Sequence, residues 1–278
     1  MARAHVEQIH RDDVPWEPLR AEGWPAGLEA KTLSRDPATG DLTAILRLPP
    51  GWYRPAGHSP TGIDLFVLEG TLTVGAARRG YGYYEWAPAG TPQEEWRAGD
   101  QGCEVIVFAP LGRPDFVPGA VPRAAPSSAP SSAGGRIEID STRLDWAQTV
   151  IPGPPPGMFI KLLRYVESTG EGLFLASTVP HYDYPKIEYH DCVEEAYMVD
   201  GDIRLGNSGL MSKGRYFWRP PYVSHGPFFS TDGMLALIYI DSPLINHFVD
   251  DPRRSVEENR AEALAQGKPI DYLGGLAQ

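Results

Sequence analysis

Phe66-Val-Leu-Glu-Gly70-Thr-Leu-Thr-Val-Gly75 and Tyr197-Met-Val-Asp-Gly201-Asp-Ile-Arg-Leu-Gly206 are two versions of one segment, 131 residues apart. Gly82-Tyr-Tyr-Glu-Trp86-Ala-Pro88 matches Gly214-Arg-Tyr-Phe-Trp218-Arg-Pro220 at an offset of 132, and Glu104-Val-Ile-Val-Phe108 matches Ala236-Leu-Ile-Tyr-Ile240 at the same offset. Matches that keep their order with a single-residue slip mark a duplication. The period is far too long for a solenoid, so the chain reads as two copies of one domain.

Each copy reads as strands. Leu42–Leu48, Ile63–Leu68, Leu72–Val74 and Val105–Phe108 in the first copy are short, β-rich and bounded by Gly or Pro. So are Phe159–Tyr165, Leu173–Val179, Ala196–Val199, Ile203–Leu205 and Leu235–Ile240 in the second. Short strands at this spacing, with Gly and Pro distributed between them as turns, predict an all-β sandwich or jelly-roll barrel. The one helix signal is Ser255-Val-Glu-Glu258 at the start of an Ala-rich run to Gln266, a capping-box pattern that predicts a short C-terminal helix. Arg123 to Gly135 has no large apolar residue to order it and reads as a linker. The expected division is a first domain over 1–120, a linker over 121–135, a second domain over 136–250 and a helical tail over 251–278.

A net charge of −11, with no basic run, argues against nucleic acid as a partner. The two cysteines, Cys103 and Cys192, make neither a disulfide framework nor a zinc ribbon. The amino terminus has no apolar signal core, and no stretch approaches the length of a membrane span. A cytoplasmic protein is expected, without a membrane partner, taking a small molecule as substrate and dimerising through exposed sheet edges.

The second copy concentrates candidate metal ligands. Glu188 and His190 are two residues apart and face the same side of a strand. Glu194 follows a turn-prone stretch and can return to that face, and His225 follows Pro220-Pro221. Two imidazoles and one or two carboxylates suit one Fe(II), Mn(II) or Zn(II) ion per chain, and two carboxylates favour the harder iron or manganese. Glu195 competes with Glu188 to complete the set but has the opposite strand parity. His181 reads as a loop residue, with the pocket rim as its alternative; Cys192 reads as a small buried residue, and Trp86 and Trp218 as equivalent core positions.

These residues resemble the cupin superfamily, and the whole chain resembles a bicupin. The usual first cupin motif runs His-x-His, three or four residues, Glu, six residues, Gly; here Glu188-Tyr-His190, Glu194 and Gly201 keep those spacings. The second runs Gly, five residues, Pro-x-Gly, two residues, His; here Gly214, Pro220-Pro-Tyr222 and His225 keep them. Glu188 replaces a His and Tyr222 replaces a Gly. In the first copy the ligand positions hold Gly57, Ser59, Ile63 and Gln93, while His58 and Asp64 are one residue out of register and would face away. No metal is expected there. The aromatic-rich second motif resembles cupins related to the ChrR barrel and to diketone-cleaving dioxygenases. That resemblance implies a metal-dependent dioxygenase or oxidoreductase acting on a small aromatic or diketone-like molecule. Its alternatives are a cupin lyase, isomerase or cyclase, or a non-catalytic binding or sensor module. Within it, Glu188 is a ligand or general base, and Tyr222 narrows the pocket or donates a hydrogen bond. Arg204, Arg215 and Arg219 could pair with a substrate carboxylate, but each is expected instead to be solvated on the barrel exterior.

Overall fold

The computed structural model describes residues 3–119, 135–148 and 155–266. Among these the chain is all-β apart from short 3-10 turns and one helix, Val256–Gln266. It forms two compact units, each built on a nine-stranded antiparallel sheet closed into a jelly-roll barrel. Every second residue of the long strands faces inward, giving a separate apolar core for each unit.

In the first unit the sheet runs in the order Ile137–Asp140, Tyr83–Ala87, Ile63–Val74, Trp96–Ala109, Leu42–Leu48, Glu29–Arg35, Glu17–Pro18. In the second the order is Val6–His10, Arg215–Arg219, Glu194–Leu205, Met234–Ile240, Gly172–Thr178, Met158–Tyr165. The repeated glycines have a structural reason. Gly70 and Gly201 take φ of +78° and +71°, and a Cβ there would come within 2.3 and 2.1 Å of the Gly102 and Gly233 carbonyl oxygens. Only glycine fits such a backbone approach.

The expected boundaries need correction at two strands. His5–His10 belongs to the second unit, and the first unit extends to Leu144. Val6 pairs with Trp218 and His10 with Arg215, while Ile137 pairs with Trp86 and Asp140 with Tyr83. The two edge strands are themselves copies. Ile9-His-Arg-Asp-Asp-Val-Pro-Trp16 and Ile139-Asp-Ser-Thr-Arg-Leu-Asp-Trp146 stand 130 residues apart, each strand leading into a 3-10 turn. Each Trp then packs under an equivalent lysine, Lys31 over Trp16 at 5.0 Å and Lys161 over Trp146 at 4.7 Å. Each repeat therefore contributes its first strand to the other repeat's barrel. The expected linker, 121–135, lies outside the described residues except for Gly135.

The C-terminal helix starts at the predicted cap. Ser255 Oγ accepts from the Glu258 N–H at 3.2 Å, and the Glu258 carboxylate accepts from the Ser255 N–H at 2.8 Å. No helix among the described residues is long and apolar enough to cross a membrane.

Candidate metal centre

The strand Ile187–His190 pairs with Asn246–Val249 and places Glu188 and His190 on one face. Glu188 and His225 exchange both backbone hydrogen bonds, each at 2.9 Å, which fixes the second motif against the first. Glu194 opens the central strand, opposite Arg219 on one side and Ile240 on the other. Glu188, His190 and His225 are buried, and their ligand atoms lie within 4.8 Å of one another. Glu194 Oε2 is 3.7 Å from His225 Nε2 and 4.0 Å from His190 Nε2. The fold thus draws all four expected ligands to one end of the second barrel.

The two histidines present the arrangement that a metal ion could use. His190 Nδ1 faces the Ile245 carbonyl at 3.2 Å, and His225 Nδ1 faces the Val223 carbonyl at 3.1 Å. A carbonyl only accepts, so each Nδ1 carries the proton and each Nε2 presents a lone pair. Those two lone pairs meet at 3.2 Å. Two acceptors face each other, with a carboxylate oxygen beside them that has no hydrogen-bond partner. Leaving such a buried atom unpaired costs about 1–3 kcal/mol. A cation resolves every one of these contacts. Two imidazole nitrogens sharing an ion at about 2.1 Å stand at such a separation when they subtend about 100°. The backbone carbonyls behind both rings are the usual outer partners of metal-bound histidines.

Ionisation agrees with the geometry. Burial lowers the pKa of His190, and burial together with the Arg219 charge holds His225 well below the usual range, so both rings are neutral. Burial, and then the Glu194 charge, push the Glu188 carboxyl up to about 8. Asn246 Nδ2 donates to Glu188 Oε2 at 3.1 Å and orients it.

The cluster lies in the wall of a chamber of about 70 Å³ whose remaining lining is almost wholly apolar. Phe174, Phe217 and Phe228 contribute rings, and Met158, Met198, Met211 and Met234 contribute thioethers. These four are all the methionines of the chain except Met1.

Several expectations resolve differently. Tyr222 is a correction: it is not part of the chamber lining and packs instead with Tyr189, Val249 and Ala263 beneath the C-terminal helix. It keeps the glycine-like conformation of the position it occupies, at φ +72°. Its N–H donates to the His190 carbonyl at 2.8 Å, and its carbonyl accepts from Asn259 at 2.9 Å. The motif's usual Gly is thus replaced by a residue forced into the same turn. Arg219 is the other correction: it is only 2% exposed and lines the chamber. Glu195 turns away, as its parity requires, and accepts from the Tyr216 hydroxyl. His181 is an exposed loop residue outside the chamber lining, and Cys192 is buried in the core. Asn246 and the methionines were not foreseen. Asn246 lies beyond both motifs, and single methionines on separate strands carry no local signal.

In the first unit the backbone frame is the same, with Gly57 and Gln93 exchanging hydrogen bonds of 3.1 and 2.8 Å where Glu188 and His225 do so in the second. The contents differ. Wholly buried Arg54 donates to Gln93 Oε1 at 2.6 Å and stacks on Trp96 at 3.7 Å. The space beside Gln93 shrinks to about 10 Å³. A guanidinium, tethered to the chain, is the cation of the first barrel.

A family model described as a domain of unknown function, DUF4437, matches residues 7–246. The chain belongs to the DUF4437 family. No curated protein matches it. Solved structures share the fold of this DUF4437 protein, a jelly-roll barrel in two copies. A Nostoc punctiforme protein provisionally described as a dioxygenase has a TM-score of 0.77 at 22% identity, over 88% of this chain and 86% of that one. A single-residue variant of Bacillus subtilis oxalate decarboxylase has a TM-score of 0.54 at 12% identity, over 88% and 80%. The E. coli protein Ylba, of family DUF861, has a TM-score of 0.57 at 14% identity, over 84% and 89%. At these identities the likeness is one of fold.

Proposed function

We propose that this DUF4437 protein is a metal-dependent cupin enzyme with one divalent ion in its second barrel. The reaction we assign is oxidation or oxygen-dependent C–C cleavage of a small, largely apolar molecule that presents oxygen donors, of the aromatic or diketone type. The observation that carries this reading is the pair of Nε2 lone pairs, facing each other at 3.2 Å at the end of an apolar chamber. A structural ion needs no chamber, and an apolar binding pocket needs no opposed imidazoles. The Nostoc punctiforme neighbour's description points the same way. The Bacillus subtilis oxalate decarboxylase, described with Mn(II) centres, supports manganese as an occupant.

His190, Glu194 and His225 would hold the ion, with Glu188 as fourth ligand or as the base beside it. When bound, the ion supplies Lewis acidity and, as iron, oxygen activation. The chain's own contribution is distinct. The rings and thioethers of the chamber exclude water and receive the apolar body of the substrate. Glu188, held by Asn246, is the group placed to take up or return a proton.

Elemental analysis of purified protein should find about one iron or manganese per chain, as expected of a single closed ligand set, and His225→Ala should abolish it. Anaerobically iron-loaded protein should take up oxygen with acetylacetone or with hydroxyaromatic acids. Unchanged metal content in the variant removes the site. Absence of turnover with iron, manganese and zinc across that panel returns the protein to a binding module. Product without oxygen uptake makes it a lyase, isomerase or cyclase.

A further inference from the structure

Among the described residues Arg219 is the one cation in the chamber wall, and its hydrogen bonding is incomplete. Its Nη2 donates to Glu7 Oε1 at 2.8 Å. Its Nη1 lies 3.8 Å from Glu194 Oε2, in ion-pair range but beyond a hydrogen bond. Nη1 and Nε have no hydrogen-bond partner, although the residue is 2% exposed. The guanidinium lies 3.9 Å over the Phe217 ring, which also lines the chamber. Glu7, on the edge strand Val6–His10, therefore pins one nitrogen while two others stay unused. Glu194, in ion-pair range of one of them, accepts a hydrogen bond from neither. The equivalent position in the first barrel is Ala87, so the shared frame does not require an arginine here.

We propose that Arg219 is a specificity-determining residue that binds an anionic oxygen of the substrate, restricting this site to small apolar organic anions. The oxygen is a carboxylate or an enolate, and either presents the planar acceptor that adjacent guanidinium N–H groups match. The apolar body fills the methionine-lined chamber, where thioethers adapt to its shape. This assignment rests on the ligand-binding chamber of the proposed function, but not on turnover.

The test uses full-length zinc-loaded protein and calorimetric titration with 4-methyl-2-oxopentanoate, its methyl ester and acetylacetone, with metal content measured for every variant. Binding of the oxo acid or of the acetylacetone enolate is expected, with the ester weaker. Arg219→Gln should weaken the bound anion by about tenfold or more and leave the ester and the metal content unchanged. Arg219→Lys should restore part of the loss. Glu7→Gln, which keeps the arginine and removes its clamp, should give a smaller loss and covers the case in which Arg219→Gln does not fold. Which anion binds separates carboxylate from enolate recognition. The proposal is overturned if neither anion binds, or if Arg219→Gln binds them as the parent does. It is also overturned if the variant loses metal without changing the preference for anion over ester, which would make Arg219 a positioning residue for Glu194. A parent that holds no metal, yet binds the anion through Arg219, would instead defeat the metal reading alone.

Discussion

Glu188 stands where the cupin motif that this segment resembles has a histidine, and the difference is one of charge. A neutral imidazole is ready to bind a metal, whereas a buried carboxyl must first lose its proton. In an unfolded chain that proton leaves near the ordinary 4.5, but in the fold it stays until about 8. Between those values the folded protein holds more protons than the unfolded one, so stability falls as pH rises. The histidines act in the opposite sense, but only below about 6.5, because both are held neutral in the fold. From pH 6.5 to 8 the Glu188 effect stands clear of them, at about 1 kcal/mol per pH unit. Chelator-treated protein should therefore lose stability across that interval in urea melts, and Glu188→Gln should not. Equal losses in both would exonerate the carboxyl. Metal affinity should tighten over the same interval, since the ion competes with that proton. This residue was legible because ligands on one strand obey a period of two, which the spacing of 188 and 190 displays. Arg219 obeys the same rule within Arg215–Arg219. Its direction was not legible, because whether a strand face points into a barrel depends on partners far away in the chain. Glu7, 212 positions from Arg219, is such a partner.

The helix Val256–Gln266 was readable from its capping box, but its purpose was not. Asn259 is completely buried, and its amide donates to the Tyr222 carbonyl at 2.9 Å and to Ser224 Oγ at 2.8 Å. Arg254 Nε donates to its side-chain oxygen at 2.9 Å. The helix thus latches the turn that carries His225, and it does so at the residue held at positive φ. A non-glycine residue in that region costs of order 1 kcal/mol and persists only where its surroundings hold it. Asn259→Ala should remove this hold. The expected result is a loss of about 1–3 kcal/mol in stability and metal affinity weakened several-fold, with the ligands themselves untouched. Competitive titration against a chromophoric chelator measures the second effect. An unchanged affinity would mean that Tyr222 keeps its conformation unaided. The strands show the same division between legible and hidden. Their positions followed from short β-rich runs bounded by turn residues. Their pairing, including the exchange of Val6–His10 and Ile137–Asp140, did not. The similarity between Ile9–Trp16 and Ile139–Trp146 is too weak to notice until the structure shows which residues are equivalent.

At the scale of the whole molecule, duplication has divided labour between two barrels with one backbone frame. One holds a tethered guanidinium in a filled interior, and the other keeps four candidate ligands and an open chamber. The strand exchange makes the working barrel dependent on the start of the chain. Without Val6–His10, the strand Arg215–Arg219 loses its outer neighbour and becomes an exposed edge beside buried Trp218 and Tyr216. Arg219 loses Glu7 as well, and with it the carboxylate that accepts from its Nη2. The first unit carries its edge strand, Ile137–Asp140, within its own continuous stretch. A fragment spanning 11–144 is therefore expected to fold alone. A fragment spanning 145–278 should aggregate or remain unfolded, and a peptide of residues 3–12 supplied in trans should rescue it. Circular dichroism and metal uptake of the three preparations test this. If the isolated second half folds and binds metal without the peptide, the edge strand is dispensable. If the rescue works with the parent peptide but fails for anion binding with Glu7→Gln, the strand's pairing and its carboxylate have separate functions, the first closing the barrel and the second setting the arginine at its wall.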